Sequence, residues 1–484
     1  MKRTDVEHLV RQMAWPEPPA SLRTRVLSDV PIAEQPIAGA ARVAGSRDPA
    51  RRPQIARETP SLSGRGWRRT VVLVACGILA MLASCTGYDG WANRQVDAEI
   101  ARFEARFGSL DEKASLVPAV PAADNRARMV RAAAALAVPA TARRYLYLVT
   151  PVPSPLPADL RPFAEDNRAA IRLAGEIRTR RQSNWEIRKS EDAWPPFNAI
   201  SILSDAIFVT TLLDIEAGHA DDAANMIVSG LGISASMRQE PDAVTQMHRS
   251  YDARRHLDAI RRLITTSAPS KVALRELAGW LAEDRMPDGM RPAMLTEARR
   301  GNAVFARMER GDVDSDVAAN MYPPNWPEWP SAFLGIAARI GRPFVRTARV
   351  RYLQQMERLL DAETGPRPRP ALPDPPAQRW ALIDRLTDKV AEGTRYFAHI
   401  GDDWMGELGA AEIAVALRRF KLDHKNYPDD LSALAPVYLT RLPVDPYTGQ
   451  PPVYARVGAG FTLRAIGSRP GMNRWLVLEW NVPR

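Results

Sequence analysis

The sequence predicts a mainly α-helical protein, with stacked helical hairpins after one transmembrane helix and a small C-terminal α+β unit. An uncharged apolar run of 17 residues, Thr70–Thr86, would span about 26 Å as a helix, which is enough for a hydrocarbon core. From residue 163 to 364, helical segments alternate with Pro and Gly breakers, which predicts stacked helical hairpins. About 60 C-terminal residues instead show the apolar–polar alternation typical of a small antiparallel sheet.

The flanks of the apolar run support a membrane anchor. Arg68 and Arg69 precede it, and Trp67, Tyr88 and Trp91 lie at its two ends, where amphipathic rings suit the headgroup layer. Residues 1–69 carry 13 Lys and Arg against 7 Asp and Glu, which is more than half of the net charge of +10. The positive-inside rule therefore predicts a cytoplasmic N-terminus, an exported C-terminal part and membrane lipid as the partner of the span.

One alternative for the anchor stays open. The segment Leu82–Cys85 follows two arginines and an apolar stretch, and it resembles a bacterial lipobox. Lipidation of Cys85 would replace the span with acyl chains and remove everything before it. A secretory signal is about 15 to 30 residues long and N-terminal, whereas this cysteine is residue 85. The sequence therefore favours a span.

Composition and periodicity divide the chain into seven segments. These are a cytoplasmic amphipathic segment (1–30), a linker (31–66), the transmembrane helix with its flanks (67–91), stalk helices (92–150), an α-helical body (151–364), a Pro-rich linker (365–376), and a long helix with the α+β unit (377–484). The predicted helices of the body are Phe163–Lys189, Asn198–Ala217, Asp221–Met237, Asp242–Thr266, Lys271–Glu283, Pro292–Arg310 and Ala332–Ala362. The second of these is apolar enough for a further span, but Asp205 and Asp214 interrupt it, which favours a core helix.

The tail carries a recognisable set of residues. They are Phe420 to Asp423 at the end of the long helix, Asn426-Tyr427-Pro428, Leu431, Leu434, Leu442-Pro443, Asp445-Pro446-Tyr447, Gly449, Tyr454 and Gly460 to Gly467 with Phe461, Leu463 and Ile466. This pattern resembles the globular domain of the major pseudopilin of type II secretion, and the resemblance implies a helix followed by a small antiparallel sheet. A prepilin methylation motif is missing, and the segment in place of the calcium loop, Ser468–Gly471, has no carboxylate. The resemblance therefore implies neither pilus assembly nor calcium.

The whole layout is similar to a group of bacterial single-pass membrane proteins with a helical exterior. This resemblance implies no function. With the span and the charge distribution, we predict a bacterial inner-membrane location with a periplasmic body. The phrase PEPPASLRTRVL, in residues 16–27, resembles the cytoplasmic stub of anti-sigma-factor-like membrane proteins. That second resemblance provides an alternative function, a transmembrane regulator with a sensing exterior.

Three patterns are candidates for chemistry, and none predicts a cofactor. His248, Asp252 and His256 are spaced four residues apart on one helical face and contain metal-ligand types, but the surrounding arginines favour a charged, solvated face. Asp312 begins a DVDSD segment, although Gly and Glu are missing at the positions that a calcium-binding EF-hand requires. Gly230 begins a GLG segment with no strand before it, which excludes a dinucleotide loop.

Aromatic side chains on Pro-rich loops are the best candidates for contact with a partner. These residues are Trp194, Phe197, Tyr322, Trp326 and Trp329. Rigid aromatics make good interface anchors, and the alternative is that the rings fold back onto helix ends. A dense basic stripe is missing, so no nucleic acid is expected. We therefore predict a non-enzymatic interaction or scaffold protein with an unknown protein partner, in a secretion or envelope assembly.

Overall fold

The computed structural model describes residues 87–115, 117–139, 155–185, 195–283, 287–314, 331–364, 381–466 and 477–482. Residues 91–484 form one compact unit, separate from the chain up to Gly90, of which only residues 87–90 are described. Several sequence predictions fall outside the described residues. They concern the span Thr70–Thr86 with Cys85, the flanking Trp67, Arg68 and Arg69, and the aromatic residues Trp194, Tyr322, Trp326 and Trp329.

The described part is mainly helical, with a small antiparallel sheet near the C-terminus, which confirms the predicted fold class. Its helices are α1 (87–107), α2 (Arg126–Ala135), α3 (Leu160–Asp166), α4 (Arg168–Ala174), α5 (Phe197–Glu216), α6 (Ala220–Ala235), α7 (Ala243–Thr266), α8 (Lys271–Glu283), α9 (Pro287–Arg310), α10 (Ser331–Ile340), α11 (Arg342–Thr364) and α12 (Ala381–His424). Its strands are β1 (Val453–Val457), β2 (Gly460–Ile466) and β3 (Val477–Val482).

Two predicted helices are interrupted in the structure. The predicted Phe163–Lys189 is divided between α3, α4 and a 3-10 turn at Ile177–Thr179. The first interruption is at Asn167, whose side-chain amide donates to the carbonyl of Phe163 at 2.9 Å and to that of Val138 at 3.0 Å. The predicted Ala332–Ala362 is divided between α10 and α11 at Gly341.

The α5–α6 pair confirms the predicted helical hairpin. Gly218 has a positive φ of 80°, a conformation that glycine adopts without steric cost. The N–H of His219 donates to the carbonyl of Asp214 at 2.8 Å, which closes the end of α5 as a Schellman-type cap does. Asp221 lies in the first turn of α6, where its negative charge suits the helix dipole.

Helix α5 has the length and the apolar composition of a membrane span. It is the one helix of the described residues that meets both criteria, and 67% of its most apolar window is buried inside the protein. Asp205 agrees with this placement, since it is completely buried and ion-paired to Arg255. The structure thus uses α5 as a core helix, as the sequence favours.

The tail shares a hydrophobic core with the helical body. Apolar side chains from α5, α6, α7, α8 and α12 form one buried cluster with residues of the tail. The tail residues in this cluster are Tyr427, Leu431, Leu434, Phe461, Leu463, Trp480 and Val482. Helix α12 therefore connects the body to the sheet through continuous packing.

The sheet has the order β1-β2-β3, with both pairs antiparallel. Tyr454 pairs with Leu463, and Leu463 pairs with Trp480 across the three strands. Gly458 has a φ of 60° in the turn between β1 and β2. The predicted turn before the sheet is also present, because Asp445 accepts hydrogen bonds from the N–H groups of Tyr447 and Thr448 at 2.8 and 3.1 Å.

A second hydrophobic cluster joins α1, α9, α10 and α11. Phe103 of α1 is buried in it beside Tyr352 and Met356 of α11. A third cluster joins α2, α3 and α4 to α5 and α6. The first helix after the predicted anchor therefore packs onto a helix more than 250 residues later in the chain.

Candidate functional site: a buried polar cluster between α5, α6 and α7

Ionisable side chains meet in the interior of the helical body, between α5 and α7. Ser204 and Asp205 of α5 face Asp252, Arg255 and His256 of α7. Except for Arg255, whose side chain is 15% exposed, all of them are almost completely buried. Because ionisable groups are seldom buried unless they are paired or have a function, this cluster is the first candidate for chemistry.

A serine and a histidine form a direct pair at the centre of this cluster. The Oγ of Ser204 and the Nε2 of His256 are 3.1 Å apart. Burial lowers the pKa of His256 to about 3, and the positive charge of Arg255 acts in the same direction. The imidazole is therefore neutral at pH 7.

Arg255 binds two carboxylates from different helices. Its Nη1 lies 2.7 Å from Asp205 Oδ1 and 3.4 Å from Asp252 Oδ1. Burial raises the pKa of Asp252 to about 7, with Arg255 opposing the shift and Asp205 reinforcing it. One guanidinium between two carboxylates ties α5 to α7, because removing Arg255 would leave two buried carboxyl groups without a compensating charge.

The geometry differs from that of a hydrolytic Ser–His–Asp triad. In a triad, a carboxylate accepts the Nδ1 proton of the histidine, and the serine is open to substrate. Here His256 Nδ1 makes no hydrogen bond within the described part of the chain. The ring lies against the backbone of α6, because a Cβ added at Gly230 would be only 2.1 Å from His256 Cε1. Ser204 and His256 are both 0% exposed, so the pair acts as a contact between helices.

The predicted solvated face of α7 is wrong. His248, Asp252 and His256 do share one face, but that face is buried against α5, and Arg249 is also completely buried. His248 stacks on Phe197, with ring centroids 3.9 Å apart and planes 6° apart. Burial lowers the pKa of His248 to about 4, and Arg255 adds to the effect. Packing against α5 and α6 therefore keeps this face of α7 out of solvent, although the helix contains many arginines.

The structure places the other candidate residues as follows. Phe197 begins α5, is half-buried and contacts His248 through its ring. Tyr88 and Trp91 lie on α1, 36% and 46% exposed.

Asp312 and Asp314 pair with Arg307. In the described ranges, no group of three His, Cys, Asp or Glu side chains is arranged to hold a metal ion.

A second polar network joins α7 to the tail. Arg254 of α7 lies 3.4 Å from Asp403 and 3.2 Å from Glu407, both on α12. The hydroxyl of Tyr447, in the turn before the sheet, donates to Asp403 at 2.5 Å. Burial raises the pKa of Glu407 to about 7 against the opposing charge of Arg254. Sequence analysis does not predict this network, since Arg254 is about 150 to 190 residues away from its other members in the chain.

Comparison with protein-family models, with curated proteins and with solved structures gives no significant match.

Proposed function

We propose that the protein is a single-pass bacterial inner-membrane protein whose periplasmic body binds other proteins without catalysing a reaction. The observation that carries this proposal is the structural role of the Ser204–His256 pair. The two groups with the most catalytic chemistry are sealed between α5, α6 and α7, where they hold helices together. The N-terminal tail would be cytoplasmic, as the distribution of positive charge predicts.

The link between the predicted anchor and the body also supports a scaffold. Arg102 of α1 lies 2.9 Å from Glu357 of α11, and Arg106 lies 2.7 Å from Asp361. These contacts, with Phe103 buried between the same helices, fix α1 to the body. A body joined firmly to α1 suits a protein that presents a surface to an assembly.

The choice of assembly rests on the resemblance of the tail. A long helix followed by a three-stranded antiparallel sheet agrees with the resemblance to the pseudopilin globular domain. We therefore propose a secretion or envelope assembly as the partner. The aromatic residues on Pro-rich segments are the proposed contact points; they are Trp194, Phe197, Tyr322, Trp326 and Trp329.

Crosslinking in intact cells tests this proposal. A photoreactive amino acid replaces Trp326 or Trp329 in the full-length chain, and the matched control places it at Val272, which is 67% exposed. After detergent extraction, mass spectrometry should identify the same secretion or envelope protein at both tryptophan positions and not at the control. Equal capture at all three positions would contradict the proposal.

The same experiment separates the alternatives for regulation and for the anchor. A sigma factor crosslinked to residues 1–30, with nothing captured by the body, would favour the anti-sigma-like regulator. An unmodified peptide that crosses Cys85 would establish a continuous span. A chain that begins at a lipidated Cys85 would establish a lipoprotein and would remove the predicted cytoplasmic tail.

A further inference from the structure

The first strand of the sheet, β1, lies at an edge. In the order β1-β2-β3 it pairs with β2 alone, from Val453 opposite Arg464 to Val457 opposite Gly460. Within the described ranges, no backbone hydrogen bond joins residues 453–457 to any residue outside β2. An edge strand presents N–H and C=O groups that are able to pair with a further strand.

The two faces of β1 carry different side chains. Val453 and Val457 lie on the outer face of the sheet and are 64% and 48% exposed. Tyr454 and Arg456 alternate with them on the opposite face, where the hydroxyl of Tyr454 donates to the carbonyl of Pro428 at 2.6 Å. A strand added to β1 would therefore meet apolar side chains on one face and a guanidinium on the other.

Three cations surround Tyr427 beside this strand. The carbonyl of Tyr427 accepts from Arg456 at 3.4 Å, and its hydroxyl accepts from Arg418 at 3.1 Å. The Nζ of Lys421 lies 4.5 Å from the centre of the Tyr427 ring. It also donates at 2.9 Å to the carbonyl of Ala459, in the turn between β1 and β2. The end of α12 therefore brings two cations to the strand that contains the third.

Carboxylates compensate these three cations only in part. Arg418 and Lys421 donate to neutral oxygens and form no ion pair in the described part of the chain. Arg456 pairs with Asp429 at 3.1 Å, but the Asp429 side chain is 85% exposed, and such pairs contribute little in water. The next carboxylate, that of Asp430, accepts from the backbone of a 3-10 turn.

The neighbouring surface adds further positive charge. Three more cations, on α8 and at the end of α12, have no ion pair among the described residues: Arg275, Arg419 and Lys425. Lys271 is neutralised by Asp423 at 2.5 Å, and Asp221 accepts from the N–H of Ser270 at the start of α8. Six cations therefore stand against three carboxylates, those of Asp221, Asp429 and Asp430.

The charge and the strand edge together select the occupant. Backbone groups on a strand edge pair with another polypeptide. A second copy of this chain would bring its own Arg456 against the same cations, and like charges oppose that pairing. A segment with carboxylates on one face would instead meet Arg456 and Lys421, and apolar residues on its other face would cover Val453 and Val457.

We infer that β1 binds an extended segment of a partner protein as an added strand, and that this segment alternates acidic and apolar residues. The inference rests on the protein-binding role of the proposed function. It requires neither the membrane anchor nor the aromatic contact points. Backbone hydrogen bonds would supply affinity, and the alternating side chains would supply specificity.

A peptide-binding experiment tests the inference. The full-length chain, purified in detergent, is mixed with a short synthetic peptide of alternating glutamate and valine. Hydrogen exchange followed by mass spectrometry reports protection of the β1 backbone, and fluorescence anisotropy of the labelled peptide gives its affinity. One control peptide has lysine in place of glutamate. A second has the same composition as the test peptide, with its glutamates and valines in separate blocks.

We expect the alternating acidic peptide to slow exchange in residues 453–457 and to leave that of Lys271–Glu283 unchanged. Both control peptides should bind severalfold more weakly, because the cations repel the first and the second has no acidic face as a strand. High salt should weaken binding of the acidic peptide, since it screens the attraction between exposed charges.

Arg456→Gln removes the cation within β1 and should weaken binding of the acidic peptide severalfold. Arg441→Gln is the matched control, because Arg441 is also exposed in the tail, and it should leave the affinity unchanged. Exchange of residues 453–457 without peptide shows whether β1 still forms in each variant. If it does not form in Arg456→Gln, the comparison of the three peptides on the unmodified chain decides.

Three results would overturn the inference. They are binding without protection of β1, equal binding of the acidic and lysine peptides, and protection of β1 that appears without peptide and grows with protein concentration. The last would identify a second copy of the chain as the occupant. None of these results changes the capture expected at Trp326 and Trp329, so failure of this inference is distinct from failure of the proposed function.

Discussion

Gly230 is the residue that lets α6 approach His256. A Cβ at this position would lie 2.1 Å from Cε1 and 2.3 Å from Nδ1 of the ring, so the ring would have to leave Ser204. We expect Gly230→Ala to lower the free energy of unfolding by about 1 to 3 kcal/mol, as overpacking does in other cores. Urea denaturation measures the change.

The matched control for this substitution is Gly279→Ala. Gly279 lies inside α8, and a Cβ there would have no atom within 4 Å. Alanine is the better helix former, so this variant should gain about 0.5 to 1 kcal/mol. An absence of any loss of stability at Gly230 would contradict the close contact between α6 and α7.

Glu240 makes the stability of the body depend on pH. Burial raises its pKa from 4.5 to about 7, although the N–H of Trp185 donates to its carboxylate at 2.7 Å and opposes the shift. A carboxyl group with a higher pKa in the folded state favours folding while it is protonated. The contribution of Glu240 to the free energy of unfolding is complete below about pH 4.5 and is lost as the pH rises through 7.

We therefore expect the free energy of unfolding to fall between pH 6 and pH 8. Burial also raises the pKa of Asp252 and of Glu407 to about 7, so these carboxyl groups act in the same direction. In Glu240→Gln the fall should be smaller by about 1 kcal/mol, because the amide keeps an acceptor for Trp185 and does not ionise. Urea denaturation at the two pH values provides the test, and an unchanged fall would exclude Glu240 as a contributor.

At the scale of elements, Tyr447 attaches the turn before the sheet to α12. Its hydroxyl donates to Asp403 at 2.5 Å, and Pro443 of the same loop lies against Gly409, where a Cβ would be 2.9 Å from the proline Cβ. A hydrogen bond to a charged group contributes about 1.5 to 3 kcal/mol. We expect Tyr447→Phe to lower the free energy of unfolding by about that amount in urea.

Tyr438→Phe is the comparison for this variant. The hydroxyl of Tyr438 also donates to a carboxylate, that of Asp423 at 2.8 Å, but this contact is exposed to solvent. Water replaces much of an exposed hydrogen bond, so the loss should be below about 1 kcal/mol. Equal losses in the two variants would mean that Asp403 does not hold the turn to α12.

The elements that the sequence predicts best have breakers at both ends. Lys271–Glu283 is confirmed residue for residue, because prolines flank it on both sides. The break at Gly341 was missed although a local signal exists, since Pro343 has no N–H to continue a helix. The break at Asn167 has no comparable signal. Its side chain binds Val138, 29 residues earlier, and only the fold brings the two together.

The burial of the α7 face also depends on contacts that only the tertiary fold creates. Spacing correctly puts His248, Asp252 and His256 on one side of a helix, but spacing does not reveal which side faces the core. The arginines of α7 suggest solvent, whereas Arg255 is neutralised by Asp205 from another helix at 2.7 Å. Pairing between distant carboxylates and arginines is a tertiary property, and composition within one helix does not contain it.

At the scale of the whole molecule, the shared core of body and tail predicts cooperative unfolding. Trp480 of β3 is 2% exposed within the cluster that includes α7 and α12. We expect Trp480→Ala to lower the free energy of unfolding by about 3 to 5 kcal/mol, and the helical circular dichroism should be lost in one transition at a lower temperature.

Val453→Ala provides the comparison, because Val453 lies in the neighbouring part of the same sheet and is 64% exposed. It should change stability by less than about 0.5 kcal/mol. Separate transitions for helix and sheet in Trp480→Ala, with the helical transition at its original temperature, would show that the tail folds independently of the body.

The offset of 255 residues between α1 and α11 has a consequence for biogenesis. Ribosomes add about 5 to 20 residues per second, so about 10 to 50 s pass between the synthesis of the two helices. Throughout that delay, the apolar side of α1 with Val96 and Phe103 lacks its contacts with α11. A chain that ends before residue 342 should therefore be cleaved in α1 by proteases sooner than the full chain.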